Sequence, residues 1–146
     1  MKLQFKKLHP DAIIPRYATK GAACFDLHAI DVTWGRMMVD STREFRTGLA
    51  VEIPEGYAML IYSRSGHGFK YDVRLSNCVG VIDSDYRGEI KVKLSSDWHH
   101  GDVLHVHDGD RIAQAMIVPA PQVQIIEADE LSDTERGTGG FGSTGA

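Results

Sequence analysis

The sequence has little cysteine and no long apolar run, and both absences exclude whole classes of protein. The two cysteines, Cys24 and Cys78, are too few for a disulfide framework and do not form a close metal-ligand pair. No apolar run approaches the roughly 20 residues that span a bilayer, so we expect no membrane segment. No uninterrupted apolar stretch follows the lysines near the start, so we expect no signal peptide either. Such a chain is expected in the cytoplasm, or in the host-cell cytoplasm if it is viral.

An excess of positive charge is also missing. The chain has 16 Lys and Arg against 20 Asp and Glu, which gives a formal net charge of -4 at pH 7. Proteins that coat DNA or RNA are usually basic, so we expect no direct nucleic-acid binding. A nucleotide is not excluded as a ligand, because one small anion needs only a local cluster of donors.

The 146 residues have a globular composition, 42% apolar and 25% charged, that suits one domain. A domain of this length buries about two-thirds of its unfolded surface. Helical patterning is nearly absent, and short, mostly alternating apolar runs are separated by polar turns. The runs predict strands at residues 49–53, 57–62, 79–82, 89–94, 112–118 and 123–126. This pattern predicts an all-β sandwich or barrel. The alternative is an α+β fold with one short helix between residues 64 and 75.

The last eleven residues, 136–146, differ in composition from the rest because they hold five of the chain's 15 glycines. A glycine-rich end buries little and is costly to order, so a frayed terminus is one interpretation. The alternative is a nucleotide-binding arm, since Arg136, Phe141, Ser143 and Thr144 supply a guanidinium, an aromatic face and two hydroxyls.

A group of histidines is the first candidate site in the body of the chain. Four of the seven histidines fall within nine residues: His99, His100, His105 and His107. His105 and His107 would project from one face of a strand, as two metal ligands do. We favour the other interpretation, in which Leu104 and Val106 face the core and both histidines face solvent, because no third ligand stands at a usual zinc spacing.

Residues 77–91 give a sharper signal, since an apolar strand runs into acidic residues, turns, and returns as an alternating strand. This pattern predicts a β-hairpin whose main-chain edges could recognise a base. Asp83 follows the apolar run directly, where a carboxylate can be partly desolvated and act on a water molecule. The alternative is that Asp83 and Asp85 only cap the turn.

Two further segments carry polar groups at places that suit a phosphate. Arg64, Ser65 and Gly66 follow the strand at residues 57–62 and combine a cation, a hydroxyl and a flexible glycine. Arg111 and Gln114 stand in a mostly apolar strand, and buried polar groups need partners. These two residues are therefore either structural or ligand-facing.

In order along the chain, these segments closely resemble the five motifs of the trimeric dUTPase family, the dUTP diphosphatases. The motifs correspond to residues 23–29, 63–66, 80–89, 109–114 and 136–145. The resemblance extends from about residue 20 to the end, and five motifs in order are far more specific than any one of them. Two residues depart from the family pattern: Cys24 stands where Gly is usual, and Ser63 stands where Pro is usual.

The resemblance implies a distorted jelly-roll fold, a homotrimer with shared active sites, and Mg²⁺-assisted hydrolysis of dUTP to dUMP and pyrophosphate. Such an enzyme keeps uracil out of DNA and supplies dUMP for thymidylate synthesis. It also implies a β domain at residues 1–135 and an arm at residues 136–146 that closes over the active site. By the same resemblance, Asp83 would be the general base that activates water, and Asp26 would hold Mg²⁺ through water.

The resemblance assigns the remaining residues to parts of the substrate. The phosphate chain would be bound by Arg64, Ser65, Gly66 and Gln114. The uracil would be read by Asn77 and by the hairpin residues Gly80, Val81, Ile82 and Lys91. Tyr86 would pack under the deoxyribose and leave no room for a 2′-hydroxyl. The arm would contribute Arg136, Phe141, Gly142, Ser143 and Thr144, with Phe141 stacked on the uracil.

Three alternatives to this function stay open. A dCTP deaminase has the same fold and part of these motifs, although the complete fifth motif argues against it. A nucleotide-sensing or protein-binding module could have kept the pocket, and a regulatory protein partner is not excluded by an intact site. A β-sandwich without any nucleotide function is the third, and it predicts that dUTP leaves the melting temperature unchanged.

Overall fold

A computed structural model describes residues 1–97, 102–141 and 143 of the chain, and these residues form nine strands and one short helix. The elements, in chain order, are β1 (Gln4–Lys7), β2 (Phe25–His28), β3 (Thr42–Arg46), β4 (Leu49–Glu52), β5 (Tyr57–Tyr62), α1 (Ser65–Tyr71), β6 (Val73–Leu75), β7 (Val79–Ile82), β8 (Lys91–Ser96) and β9 (Arg111–Pro119). The predicted all-β class is confirmed, and α1 is the short helix placed between residues 64 and 75 in the alternative.

The strands form three small antiparallel sheets in a jelly-roll-like arrangement. The four-stranded sheet has the order β2-β9-β5-β7, a three-stranded sheet has the order β3-β8-β6, and β1 pairs with β4. Strand β5 pairs with β9 on one side and with β7 on the other. The ends of β2, β5 and β9 therefore meet in one place, and the outer edge of β7 pairs with no other strand of the described residues. The β-hairpin predicted at residues 77–91 is wrong, because β7 pairs with β5 whereas β8 pairs with β3 and β6 in another sheet.

The core lies between the sheets and is built by the alternation of apolar residues. In β8 and just before it, Ile90, Val92 and Leu94 are buried while Lys91 and Lys93 are exposed, as the period of two predicts. Each fully buried aliphatic side chain of this kind contributes about 1.5–3 kcal/mol to the free energy of unfolding. The core thus holds β8 rigidly against the strands that carry the candidate site.

One predicted strand is wrong. Residues 123–126 alternate in sequence as a strand does, but the structure leaves them outside any strand. Val123, Ile125 and Ile126 are largely exposed, Ile125 by 92%. A strand needs a partner to pair with, and this segment pairs with none of the described residues.

The histidine segment behaves as the favoured interpretation predicted. Leu104 and Val106 are buried, and His105 and His107 are exposed. His99 and His100 lie outside the described residues. Helix α1 has seven residues, and no helix in the described part of the chain has the length and apolarity to cross a bilayer.

Candidate active site

A cluster of charged and polar side chains lies where β2, β5 and β9 meet. Gln114 of β9 pairs with Asp26 of β2 on one side and with Tyr62 of β5 on the other. Ser63 and Arg64 directly follow Tyr62, so the sheet register brings residues from three of the predicted segments together. We call Asp26, Ser63, Arg64, Arg111 and Gln114 the cationic cluster.

Asp26 is the centre of the cationic cluster. One oxygen of its partly buried carboxylate accepts a hydrogen bond from Nε of Arg64 at 3.2 Å, and the other accepts one from Nη1 of Arg111 at 3.4 Å. Two guanidinium groups face one carboxylate, so the cluster keeps a net positive charge and attracts anions. The sequence left Arg111 as either structural or ligand-facing, and the structure places it against Asp26 in this cluster.

Ser63 and Gln114 connect the cationic cluster to the neighbouring sheet. Nε2 of Gln114 donates to the carbonyl of Ser63 at 2.9 Å, and the hydroxyl of Ser63 accepts from the backbone N–H of Leu75 at 2.9 Å. A proline at position 63 has no hydroxyl to offer. The departure from the family pattern therefore adds a bond between the end of β5 and the end of β6.

Ser65 and Gly66 are exposed at the start of α1, whereas His67 in the same helix is only 8% exposed. Nε2 of His67 lies 3.5 Å from Nη1 of Arg64. Burial, and then the charge of Arg64, lower the pKa of His67 to about 4. The neutral imidazole can therefore accept a hydrogen bond from Arg64 and help to orient the guanidinium.

Cys24, the other departure from the family pattern in this region, has a raised pKa. Burial of the thiol is the larger cause, and the charge of Asp26 is the second. Cys24 thus stays a protonated, weakly nucleophilic thiol beside Asp26. The second departure from the family pattern adds no reactive group to the site.

A separate slot of about 320 Å³ lies between the outer edge of β7 and the first part of β8. Its lining includes Asn77, Gly80 and Lys91. The carbonyl of Lys93 accepts a hydrogen bond from the N–H of Ser76, on the side where β6 ends. Since alternate residues of a strand direct their main-chain groups to the same edge, the N–H and C=O of Lys91 face the slot.

The side chain of Lys91 is held away from the slot. Its ammonium group donates to Oε1 of Glu44 on β3 at 2.9 Å, and this hydrogen bond together with the charge of Glu44 raises the pKa of Lys91. Only the main chain of Lys91 is thus directed at a ligand. Val81 and Ile82 lie on the edge strand β7, with Val81 largely exposed.

Asp83 lies far from the cationic cluster within one chain. Ile82 pairs with Met59 near the start of β5, whereas Ser63 follows the end of β5. With a rise of about 3.3 Å per residue, Asp83 is roughly 15 Å along the sheet from Ser63. Its side chain is also exposed, so the expected desolvation of this carboxylate is wrong for the single chain.

The capping role considered for Asp83 and Asp85 is wrong as well. The turn is closed by the main chain, because the N–H of Tyr86 donates to the carbonyl of Asp83 at 3.2 Å. Arg87 adds a bond from Nη1 to the carbonyl of Ser84. Neither carboxylate caps the turn with a hydrogen bond to the described residues.

The described part of the arm is turned in on itself. Nε of Arg136 donates to the carbonyl of Gly139 at 2.9 Å, and the N–H of Ser143 donates to the carbonyl of Gly140 at 3.1 Å. Phe141 is fully exposed. Gly142 and Thr144 lie outside the described residues, and the described arm makes no hydrogen bond to the cationic cluster or to the slot.

These features define a class of protein: a jelly-roll-like β fold with a cationic cluster for an anion and a separate slot with main-chain groups for a flat polar ligand. The comparisons with known proteins give the family. The dUTPase family model matches residues 10–145. The chain belongs to the dUTPase family and is a hydrolase of the dUTP nucleotidohydrolase class.

Individual relatives cover nearly all of the chain. A deoxyuridine 5'-triphosphate nucleotidohydrolase of Nautilia profundicola is 51% identical over 145 residues, and the match covers 99% of each chain. The enzyme of the same name from a Picosynechococcus species is 47% identical, again with 99% of each chain covered. Among solved structures, the dUTPase of Staphylococcus bacteriophage 80alpha with dUpNHpp is 27% identical, has a TM-score of 0.86, and covers 99% of each chain.

Proposed function

We propose that the protein hydrolyses dUTP to dUMP and pyrophosphate with the help of Mg²⁺, in active sites that several copies of the chain build together. The observation that carries this proposal is the separation within one chain. The cationic cluster and the slot each form within one chain, yet Asp83 is exposed and lies roughly 15 Å from Ser63. A homotrimer supplies the missing part of each site from a neighbouring copy.

The cationic cluster would bind the phosphate chain. The guanidinium of Arg64 carries the charge and the fork of donors that phosphate oxygens need, with Ser65, Gly66 and Gln114 around it. Asp26 holds the guanidinium of Arg64 by its Nε, and Nη1 faces His67 and the carbonyl of Arg111, so Nη2 would be the group that meets a ligand. Phosphoryl transfer depends mainly on such positioning and charge neutralisation.

The carboxylate of Asp26 fits a Mg²⁺ ion held through water. Mg²⁺ usually keeps several waters and is bound by one or two carboxylates together with substrate phosphates. Asp26 provides one carboxylate, already hydrogen-bonded to two arginines, beside the proposed phosphate site. When bound, Mg²⁺ would neutralise charge on the phosphate oxygens.

Asp83 would act as the general base. Its carboxylate would take a proton from a water molecule as the water oxygen attacks the α-phosphorus. The bond between that phosphorus and the oxygen bridging to the β-phosphorus breaks, and pyrophosphate leaves. Burial of Asp83 against a neighbouring copy would hold the water in line for this attack.

The slot would select uracil. Asn77, Gly80 and the main chain of Lys91 line the slot and would offer donors and acceptors to the base, and Val81 and Ile82 continue the edge strand beside it. Uracil donates at N3 and accepts at O4, whereas cytosine accepts at N3 and donates at its 4-amino group. A buried mismatch of this kind can discriminate by orders of magnitude.

The arm at residues 136–146 would close over the site, which is the second of the two interpretations of this segment, rather than be a frayed terminus. Arg136, Ser143 and Thr144 would bind the β- and γ-phosphates, Phe141 would stack on the uracil, and Gly142 would let the backbone approach. Closure would exclude bulk water from the reaction. The body of the enzyme would then be residues 1–135, and its role in the cytoplasm would be to keep uracil out of DNA and to supply dUMP.

The first experiment measures release of pyrophosphate and of ammonia from dUTP, dCTP, dTTP and UTP in the presence of Mg²⁺. We expect pyrophosphate from dUTP far above the other three. Equal turnover of all four nucleotides, or turnover of none, would refute the proposal. Release of ammonia from dCTP would identify a deaminase instead.

A second experiment tests the sharing of sites between copies. Asp83→Asn and Arg64→Ala should each abolish turnover, and refolding the two variants together should restore about a quarter of the wild-type rate, because random assembly gives that share of sites both intact parts. Each variant refolded alone is the control. If the mixture stays inactive while wild type hydrolyses dUTP, the sites are not shared.

A further inference from the structure

We propose that Gly88, Glu89 and Arg46 form a seat for the ring of Tyr86 and thereby set how strongly the enzyme prefers deoxyribose over ribose. The inference rests on the proposed function, in which Tyr86 packs against the sugar of dUTP. The three seat residues would act as positioning residues, since they act through Tyr86 rather than on the substrate. Tyr86 as a whole is 43% exposed, so part of the residue is accessible to a ligand.

Gly88 forms the floor of the seat. A Cβ atom added at Gly88 would lie 2.6 Å from Cζ and 3.0 Å from Cε2 of Tyr86, closer than real side chains approach each other. The phenol end of Tyr86 therefore lies against the backbone of Gly88. Any larger residue at this position must displace the ring.

Glu89 holds the far end of the ring. The hydroxyl of Tyr86 donates to the carbonyl of Glu89 at 3.0 Å. The contact with Gly88 and this hydrogen bond together restrain the ring. An exposed aromatic side chain in a loop would otherwise move among its rotamers.

Arg46 anchors Glu89 to the body of the protein. Nε of Arg46 donates to both carboxylate oxygens of Glu89, at 3.1 and 3.2 Å, and the N–H of Gly48 donates to the same carboxylate at 2.9 Å. The side chain of Glu89 is only 15% exposed, so this ion pair is better shielded from water than a surface pair. Nη1 of Arg46 donates a hydrogen bond to Oδ2 of Asp31 at 2.6 Å.

The main chain on the far side of Glu89 is fastened too. The N–H of Ile90 donates to the carbonyl of Leu49 at 2.8 Å, and the hydroxyl of Thr47 donates to the carbonyl of Ile90 at 2.6 Å. The residue after Glu89 is thus bonded to the turn between β3 and β4. The carbonyl that receives the hydroxyl of Tyr86 is held in a fixed place by these bonds.

If the ring of Tyr86 is held in one place it can exclude the 2′-hydroxyl of a ribose, and if the ring is free to move it cannot. If Tyr86 can swing outward, a ribose with its 2′-hydroxyl gains room, while the uracil and phosphate contacts are unchanged. Weakening the seat should therefore raise kcat/KM for UTP relative to dUTP. Because both nucleotides share every other contact, this ratio is insensitive to a general loss of stability.

The experiment measures kcat/KM for dUTP and for UTP, with Mg²⁺, in full-length protein. Gly88→Ala and Glu89→Ala are each expected to lower the dUTP-to-UTP ratio by about 10-fold or more, and Glu89→Gln should recover part of it because the amide oxygen still accepts from Arg46 and Gly48. Tyr86→Phe, which removes only the exposed hydroxyl and should fold normally, is expected to lower the ratio by less.

The matched control is Asp97→Ala. It removes an exposed ion pair with Arg74, 2.7 Å long and outside residues 83–90, and should leave the ratio unchanged. If wild type prefers dUTP and Gly88→Ala and Glu89→Ala both keep its ratio, the seat is refuted while the proposed function stands. If wild type itself does not distinguish dUTP from UTP, the proposed role of Tyr86 fails instead.

Discussion

His67 should make the protein sensitive to mild acid, and the size of the effect follows from its surroundings. The imidazole is buried beside the guanidinium of Arg64, with Arg111 adding to the repulsion and Asp110 opposing it. Burial is the larger cause and Arg64 the second, and together they lower the pKa of His67 from 6.5 to about 4. The folded protein thus binds the proton of His67 more weakly than the unfolded chain does.

The direction and the magnitude follow from proton linkage. Above pH 6.5, His67 is neutral in both the folded and the unfolded state, so its pKa shift does not lower the free energy of unfolding. As the pH falls from 6.5 towards 4, the unfolded state takes up the proton first, so the free energy of unfolding decreases. At 1.36 kcal/mol per unit of pKa shift, the loss reaches about 2 kcal/mol at pH 5 and about 3 kcal/mol below pH 4.

The assay is urea unfolding of wild type and of His67→Gln at pH 7 and at pH 5, at one fixed protein concentration. Any constant effect of the substitution cancels in the change between the two pH values. Wild type should lose about 2 kcal/mol more than His67→Gln on going from pH 7 to pH 5. The control is His105→Gln, an exposed histidine, which should follow wild type. If the free energy of unfolding of wild type and that of His67→Gln change between pH 7 and pH 5 by amounts that agree within about 0.5 kcal/mol, the argument from burial is wrong.

Three further predictions concern single features of the site. Asp26→Asn should reduce turnover of dUTP by about 10- to 100-fold and raise the Mg²⁺ concentration for half-maximal rate, and an unchanged Mg²⁺ dependence would contradict the role of Asp26. Ser63→Ala leaves the N–H of Leu75 without its partner and should cost about 1 kcal/mol of unfolding free energy, measured by urea unfolding against Ser65→Ala as control. A chain that ends at Glu135 should keep its melting temperature within about 2 °C but lose most of its turnover, and a normal rate would rule out a closing arm.

Much of the fold could be predicted from local patterns. The alternation around Val92 and Leu94 identified a half-buried strand, and Leu104 with Val106 identified the buried face of the histidine segment. Both predictions rest on which face of an extended chain is apolar, a property of neighbouring residues. The strand expected at residues 123–126 failed because a strand also needs a partner edge, which local pattern does not supply.

The candidate site was predictable as a set of residues and much less as an arrangement. The five motifs identified Asp26, Arg64, Gln114 and Asp83, but they carry no distances. The register of β5 with β7 and β9 puts the first three together and Asp83 at the other end of the strand. His67 was missed because an isolated histidine in a short helix gives no sign of its burial.

The sequence by itself determined the β class of this protein and the family to which its motifs belong, because alternation and motif order are written in neighbouring residues. Only the tertiary structure decided which oxygens of Asp26 meet Arg64 and Arg111, that Ser63 bonds to Leu75, and that Arg46 holds the carboxylate of Glu89. These contacts depend on strand register and on close packing between residues far apart in the chain. They also leave Asp83 exposed and apart, which is the physical reason to look for a second copy of the chain at each site.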